Sequence, residues 1–302
     1  MTGPTQAELN RANAERAAEI YRASVGPVGS GAAWASACQA AAESVAQTLS
    51  ATRNLADIGS ALVQSARHLR VLRSLMAPPI SQDQYALATS DYSKSAENAD
   101  SGLALEKAAK LAADFAVRRD RAITAWVDRD DAPTQAELAL ATARAVAILA
   151  QQAFATNART ASADKQELDA IDLLVKRGWR EVKNPKIEQA SDLAEKCFAR
   201  KARIQAGAAA QEVDIACRLK GAYLLAIECK VTNDETNSTK RINDIVKKAN
   251  IWKAEFGARV KTAALLQGVI RAADIDRLTA ADVAVFWSHD LAEFGAWIDA
   301  QV

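Results

Sequence analysis

Two neighbouring segments decide the fold: Val213-Asp214-Ile215-Ala216-Cys217-Arg218-Leu219 and Leu224-Leu225-Ala226-Ile227-Glu228-Cys229-Lys230-Val231. Both are rich in aliphatic residues, and a glycine, Gly221, lies between them, which is typical of a β-hairpin. Successive side chains of a strand point to opposite faces. The alternation predicts an apolar face on each strand, made of Val213, Ile215, Cys217, Leu219, Leu225, Ile227, Cys229 and Val231. Asp214, Glu228 and Lys230 are left on the other face.

The loop between the strands decides whether their polar faces coincide. A three-residue loop, Leu219-Lys220-Gly221 or Lys220-Gly221-Ala222, keeps the side-chain parity, whereas a two-residue loop reverses it. We predict a three-residue loop. Asp214 then lies opposite or diagonal to Glu228, with Lys230 one step along the strand.

This trio of residues has the parts needed for phosphodiester hydrolysis. Two close carboxylates raise each other's pKa unless a cation neutralises them, and Mg²⁺ prefers oxygen ligands. We predict that Asp214 and Glu228 bind Mg²⁺, that the Cys229 backbone carbonyl adds an oxygen, and that Lys230 orients or activates the attacking water. The alternative is an ordinary solvated face with a salt bridge.

Residues 160 to 300 resemble the PD-(D/E)XK nuclease superfamily, in which acidic and lysine residues occur in the order Glu167, Asp214, Glu228, Lys230. The superfamily's proline before the aspartate is Val213 in this chain. The resemblance implies that Asp214 and Glu228 are metal ligands, that Lys230 is the catalytic lysine, and that Glu167 is an outer or second-metal acid.

Three segments are similar, within that superfamily, to type II restriction endonucleases of the XamI kind: residues 225–231, 236–241 and 286–291. The resemblance implies a restriction-endonuclease-like core, with a mixed sheet flanked by helices. It also implies Mg²⁺-dependent, site-specific hydrolysis of double-stranded DNA within restriction-modification, by a homodimer because symmetric sites favour two-fold proteins.

The two halves of the chain differ in their patterns. Residues 5 to 157 are alanine-rich and read as helices, including a third helix from Leu55 to Met76, which predicts an all-helical domain over residues 1–158 for DNA contact or dimerisation. Residues 159–302 read as a mixed α/β nuclease domain. In it we expect a helix at Asp164 to Lys176, a strand at Trp179 to Lys183 and a helical piece around Ser191 to Arg200.

Basic residues mark two candidate DNA-contact surfaces. The helix after the hairpin carries Lys240, Arg241, Lys247 and Lys248 on an outward face, with Asn237, Ser238 and Thr239 at its N-terminus, where backbone amides suit a phosphate. The alternative for these three is capping alone, by Ser238 or Thr239. The second surface is the cluster Arg67, Arg70 and Arg73 on the third helix, whose alternative is a solvated face.

Composition narrows the remaining possibilities. The net charge of +1 carries no global signal for nucleic acid. The four cysteines form no CxxC pair, and no stretch approaches the roughly 18 apolar residues of a membrane helix, so we expect a cytoplasmic protein that does not enter membranes. Two other functions stay open: a structure-specific or repair nuclease of the same fold, and a non-catalytic DNA-binding or helical interaction protein.

Overall fold

The computed structural model describes residues 5–24, 27–129, 131–183, 185–206 and 209–301. The chain divides into two compact units, one made of Ser30–Asn157 and the other of Met1–Gly29 together with Ala158–Val302. The division at Asn157 lies next to the boundary expected from the sequence. The first 29 residues, however, group with the second half of the chain rather than with the helical half.

In the described residues, α-helices come before any strand as far as residue 176, and strands and the remaining helices follow. The helices are α1 (Gln6–Ser24), α2 (Pro27–Ala51), α3 (Ile58–Gln64), α4 (His68–Ser74), α5 (Gln82–Ala88), α6 (Lys94–Asn98), α7 (Leu105–Arg118), α8 (Trp126–Arg129), α9 (Gln135–Lys176), α10 (Glu235–Phe256), α11 (Ala272–Ala280) and α12 (Leu291–Asp299). The strands are β1 (Arg180–Glu181), β2 (Lys186–Ile187), β3 (Cys197–Ala206), β4 (Ala209–Arg218), β5 (Leu224–Thr232), β6 (Val260–Gly268) and β7 (Val283–Trp287).

The unit Ser30–Asn157 has a helical core built on buried residues such as Leu62, Leu72, Phe115 and Trp126. The third helix expected from the sequence is wrong as a single element. It is two helices, α3 and α4, because Ser65 after α3 takes an extended backbone, with φ −153° and ψ 124°.

Helix α9 is one continuous helix of 42 residues, and the helix expected from Asp164 to Lys176 is its last part. Residues 157 to 164 contain neither glycine nor proline, so no residue there interrupts helical hydrogen bonding. Among the described helices α9 alone is long and apolar enough to cross a membrane by length and composition. It contributes buried residues to the protein's own cores, including Ala145 and Leu174.

A seven-stranded mixed sheet forms the centre of the other unit, in the order β1-β3-β4-β5-β6-β7, with β2 also pairing with β3. The pairs β3–β4 and β4–β5 are antiparallel, whereas β5–β6 and β6–β7 are parallel. The predicted mixed α/β class is confirmed. The helical piece around Ser191 to Arg200 is wrong, because Cys197 begins β3 and only a short 3-10 turn, Ala190–Asp192, precedes it.

Helices cover both faces of this sheet. On one face α9 and α12 pack against Ile215, Ile227 and other residues of one core. On the other face α1, α10 and α11 pack against residues that include Ala226 and Leu266. All nine residues of β5 are therefore buried, and the polar side chains on this strand lie inside the protein.

The hairpin between β4 and β5 has the predicted three-residue loop. Strand pairing runs from Ile215 opposite Ile227 to Arg218 opposite Leu224, and the Leu219 amide donates to the Tyr223 carbonyl at 2.9 Å. The loop is therefore 220–222, with a left-handed φ of 70° at Gly221 that glycine adopts without strain. One further step in this register puts position 214 opposite position 228.

Candidate active site

Asp214 of β4 and Glu228 and Lys230 of β5 form a buried ionic cluster. The Lys230 ammonium lies 2.9 Å from Asp214 Oδ2 and 2.7 Å from Glu228 Oε2. The exposed fraction is 8% for Asp214, 0% for Glu228 and 9% for Lys230. The alternative of a solvated surface pair is wrong, because all three side chains are buried.

The backbone of β5 also holds Asp214 in place. The Cys229 amide donates to Asp214 Oδ2 at 2.8 Å. Backbone pairing between the two strands is recorded as far as Ile215 and Ile227. Beyond that point a side-chain carboxylate takes the Cys229 hydrogen bond, which fixes Asp214 beside Lys230.

Two further lysines contact the carboxylates. Lys201 of β3 donates to Asp214 Oδ1 at 2.8 Å, and Lys248 of α10 lies 3.0 Å from both Glu228 oxygens and 2.9 Å from the Glu212 carbonyl. Sequence reasoning missed Lys201, because Arg200 was placed at the end of a helical piece. It also placed Lys248 on an outward face, which is wrong because its side chain is turned inward to Glu228.

Glu167 of α9 joins the same cluster. Its Oε1 lies 2.5 Å from the Lys201 ammonium, so Lys201 bridges Glu167 and Asp214. The structure thus brings together Glu167, Asp214, Glu228 and Lys230, the four residues in the predicted catalytic set. Their catalytic roles stay predictions.

Burial and charge act in opposite directions on the two strand carboxylates. Burial raises the pKa of Glu228 above its ordinary value, and the lysines only partly oppose this. Burial would also raise the pKa of Asp214, but Lys230 and Lys201 hold it below its ordinary value. Glu228 is therefore the carboxylate that gains most from an additional positive charge.

The donor atoms fit a hard divalent cation. No group of three or more His, Cys, Asp or Glu side chains arranged to hold a metal occurs within the part of the chain that the structure describes. Mg²⁺ is commonly held by one or two carboxylates, with water and substrate phosphate as its other ligands. The Asp214 and Glu228 oxygens meet that need, and the buried Glu228 charge is stabilised by a nearby cation. A ligand role for the Cys229 carbonyl stays a prediction.

A basic cavity of about 610 Å³ opens beside Lys230. It is lined by Arg159, Lys230, Asn237, Lys240, Arg241, Asn243, Asp244 and Lys247. Lys240, Arg241 and Lys247 are exposed on α10, as the sequence predicts. The lining holds five basic side chains and one acidic one, which suits a phosphate backbone.

The N-terminus of α10 differs from the expectation. Its N-cap is Asp234, which accepts from the Asn237 amide at 2.8 Å, so neither Ser238 nor Thr239 caps the helix. Ser238 is fully buried and donates to Asp274 at 3.0 Å. It is therefore withdrawn as a phosphate contact, because DNA cannot reach it. Thr239 also donates to Asp274, at 3.1 Å.

The predicted arginine cluster of the helical unit is only partly on the surface. Arg73 is 4% exposed and lies 2.6 Å from Glu97, so it is withdrawn as a DNA contact because it belongs to a buried ion pair. Arg67 is exposed and pairs with Asp100 at 3.3 Å. Arg70 is exposed, and with Arg67 it lines a second cavity of about 610 Å³; DNA contact by these two stays a prediction.

Comparison with known proteins supplies the class. A model of the XamI restriction endonuclease family matches residues 53–287, which places the chain among the restriction endonucleases. The chain belongs to the XamI restriction endonuclease family. The resemblance to restriction endonucleases of the XamI kind, expected from residues 225–231, 236–241 and 286–291, is thereby confirmed.

One curated relative is the type II restriction enzyme XamI from Xanthomonas campestris pv. amaranthicola, which is 32% identical over 200 residues. The match covers 62% of this chain and 66% of the relative, so the chain spans just under two thirds of that enzyme's length. Among solved structures, protein VC1899 from Vibrio cholerae is similar to part of this chain. The match covers 35% of this chain and 28% of the VC1899 chain, with 18% identity and a TM-score of 0.29. That likeness is too slight to carry an argument about fold.

Proposed function

We propose that this protein is a type II restriction endonuclease that hydrolyses phosphodiester bonds of double-stranded DNA at a specific site with Mg²⁺, on a PD-(D/E)XK core. The observation that carries the proposal is the buried cluster of Asp214, Glu228 and Lys230 in a member of a restriction endonuclease family. Buried charges of this kind are costly to keep, and such clusters are frequent at functional sites.

Each residue of the cluster has a distinct proposed role. Asp214 and Glu228 hold the cation, which when bound polarises the scissile phosphate. The neighbouring carboxylates outweigh burial and raise the pKa of Lys230. Lys230 therefore stays protonated at neutral pH, where it orients the attacking water and stabilises charge that develops on the phosphate, rather than removing a proton.

The basic cavity beside Lys230 is the proposed path of the DNA backbone. Its exposed residues Lys240, Arg241 and Lys247 approach one phosphate strand from α10, and Asn237 at the start of the helix adds a neutral donor. We propose that the enzyme acts in the cytoplasm as a homodimer, because a two-fold protein matches a symmetric DNA site.

The proposal is tested by incubating plasmid with the protein and either Mg²⁺ or EDTA. We expect discrete bands with Mg²⁺ only, and a loss of at least about 100-fold in rate for Asp214→Asn and Lys230→Met, as for removal of a group that acts on the reacting atoms. The control is Lys253→Met, which removes an exposed lysine paired with Asp282. Undiminished cutting by both site variants would reject the site.

The same experiment separates the other functions. Preference for flaps or junctions over intact duplex would favour a structure-specific or repair nuclease. DNA binding without Mg²⁺-dependent cutting by the unaltered protein would favour a non-catalytic binding protein. Sequencing the ends of discrete fragments gives the recognition site and the cut position.

The proposed DNA path has a separate prediction based on salt dependence. In an Asp214→Asn background, Lys240→Ala, Arg241→Ala and Lys247→Ala should each weaken DNA binding and lower the slope of log K against log salt by about 1. Lys186→Ala removes an exposed lysine on β2, outside the cavity, and should leave the slope unchanged. Equal slopes for all four variants would show that the DNA does not bind in this cavity.

A further inference from the structure

Lys201 lies between two carboxylates that come from different elements. Its ammonium is 2.5 Å from Glu167 Oε1 on α9 and 2.8 Å from Asp214 Oδ1 on β4. Two carboxylates at such short distances from a common point repel each other unless a positive charge stands between them. The Lys201 ammonium therefore provides the neutralisation that a bound cation would provide.

The backbone at Lys201 is unusual for a strand. Its φ is 46°, in the left-handed region that side-chain-bearing residues rarely adopt. Recorded pairing with β4 joins Arg200 to Ile215 and Ala202 to Val213 on either side of it. Side-chain alternation breaks here, because Ile215 packs in the core with α9 whereas Val213 packs on the opposite face with Trp252. The expectation that Val213 shares a face with Ile215 is thus wrong.

Exposure distinguishes Lys201 from the other two lysines of the cluster. The Lys201 side chain is 50% exposed, whereas those of Lys230 and Lys248 are 11% and 17% exposed. A lysine ammonium is strongly hydrated and stands on a flexible four-carbon chain. Lys201 can therefore leave its carboxylates for water without crossing a packed core, which the two buried lysines cannot do.

We propose that Lys201 is a displaceable counter-ion, whose ammonium holds Glu167 beside Asp214 in the cation-free protein and moves into solvent when a divalent cation binds Asp214. The inference rests on the proposed function, because it takes the cation site from there. Lys201 thereby sets the cation concentration at which the site fills, and it acts as a positioning residue rather than a catalytic one.

The test measures Mn²⁺ binding to the full chain without DNA, by titration calorimetry. Lys201→Met removes the competing charge, so we expect Mn²⁺ to bind about tenfold more tightly. A tenfold change in Kd corresponds to a small part of the electrostatic interaction energy between two unit charges at this separation. Lys201→Arg keeps the charge and should bind as the unaltered protein does. The control is Lys253→Met, whose side chain is 57% exposed and pairs with Asp282 at 3.0 Å, and its Kd should not change.

A thermal readout separates this role from a purely structural one. Without Lys201 the repulsion between Glu167 and Asp214 is less fully compensated until Mn²⁺ relieves it, so Lys201→Met should have a lower Tm in EDTA and a larger rise in Tm with Mn²⁺ than the unaltered protein. A structural lysine would lower Tm equally in both conditions. That result, or Mn²⁺ binding to Lys201→Met that is unchanged or weaker, overturns the proposal.

Failure of the proposed function has a different signature. Asp214→Asn, in a chain that keeps Lys201, should weaken Mn²⁺ binding. If Mn²⁺ does not bind, or if Asp214→Asn leaves its Kd unchanged, the cation site itself is rejected and the role of Lys201 is rejected with it. Tight binding that depends on Asp214 but not on Lys201 overturns the counter-ion role alone.

Discussion

Glu228 is the carboxylate of the site whose ionised form is disfavoured by burial despite the neighbouring lysines. It is fully buried, it touches the ammonium groups of Lys230 and Lys248, and burial raises its pKa. A carboxyl whose folded-state pKa is raised stabilises the fold at pH values below its unfolded pKa. That contribution is lost as the pH rises through the folded-state pKa. Ionised Glu228 is therefore maintained at a cost in stability, which Lys248 reduces.

Lys248→Met should move the acid limb of the pH–rate profile to higher pH. Loss of this ammonium raises the pKa of Glu228 further, so that a higher pH is needed to ionise it. We expect a shift of roughly one pH unit in the profile of kcat/KM, which reports groups of the free enzyme.

Lys247→Met is the matched control for this shift. Lys247 is the adjacent residue but is exposed in the basic cavity, so its loss should raise KM at physiological salt without moving the acid limb. An unshifted limb in Lys248→Met would show that Lys248 does not stabilise the Glu228 charge.

The site was predictable to the extent that it follows strand alternation. Asp214, Glu228 and Lys230 stand out because charged residues interrupt otherwise apolar strands, and a three-residue loop fixes their register. Lys201 was not predictable in this way, because its contact depends on a left-handed residue in another strand. Lys248 was misjudged because helical periodicity gives the face of a side chain but not the partner that its long chain reaches.

Among the elements, the ion pair between α4 and α6 shows how a buried charge joins two helices. Glu97 of α6 accepts from Arg73 of α4 at 2.6 Å and 3.0 Å, and from Tyr92 at 2.5 Å and Gln82 at 2.8 Å. Burial alone would raise the pKa of Glu97, but these hydrogen bonds hold it below its ordinary value of 4.5. Arg73 is therefore part of the core of the helical unit.

Glu97→Gln should destabilise the protein by about 3 kcal/mol at pH 7, because it leaves the Arg73 charge buried without a counter-charge. The depressed pKa of Glu97 contributes stability above its unfolded pKa of about 4.5, and that contribution is lost as the pH falls through the folded-state pKa. Unfolding followed by circular dichroism should therefore show a flatter loss of stability below that pH in the variant. Glu106→Gln, at an exposed pair with Lys110, should change neither quantity appreciably. Equal effects of the two substitutions would contradict the buried role of Glu97.

The elements that the sequence did not predict are those decided by long-range pairing. Residues around Ser191 to Arg200 include good helix formers, yet Cys197 to Arg200 form a strand, since β3 pairs along its length with β4. The helix expected to begin at Asp164 is the last part of α9, because local polarity near Asn157 does not end a helix that lacks glycine and proline. By contrast, β5 was predicted to within one residue, since its apolar run is bounded by turn residues.

At the scale of the whole molecule, the unit that holds the site is assembled from two separate stretches of chain. Helix α1 near the N-terminus buries Ala14 and Ala17 in a core with Ile242 of α10 and Ile275 of α11. The sequence assigned this helix to the helical half because it precedes other alanine-rich helices. An alanine-rich face gives only a weak amphipathic signal, and the local sequence does not indicate which surface α1 packs against.

Ala17→Glu should therefore destabilise the unit that carries the site, although it lies about 200 positions before Asp214 in the sequence. Ala17 is 4% exposed in that core, so a charged side chain there must displace α1 or remain buried without a partner. Ala12→Glu places the same residue at an exposed position of the same helix and controls for helix propensity and charge. We expect Ala17→Glu to lower the free energy of unfolding by about 2 kcal/mol or more, as for a buried unpaired charge, and Ala12→Glu to change it little. Calorimetric unfolding in EDTA and in Mn²⁺ measures this, because the cation stabilises only the unit that holds the site. If Ala17→Glu left the Mn²⁺-sensitive transition at its original temperature, α1 would not belong to that unit.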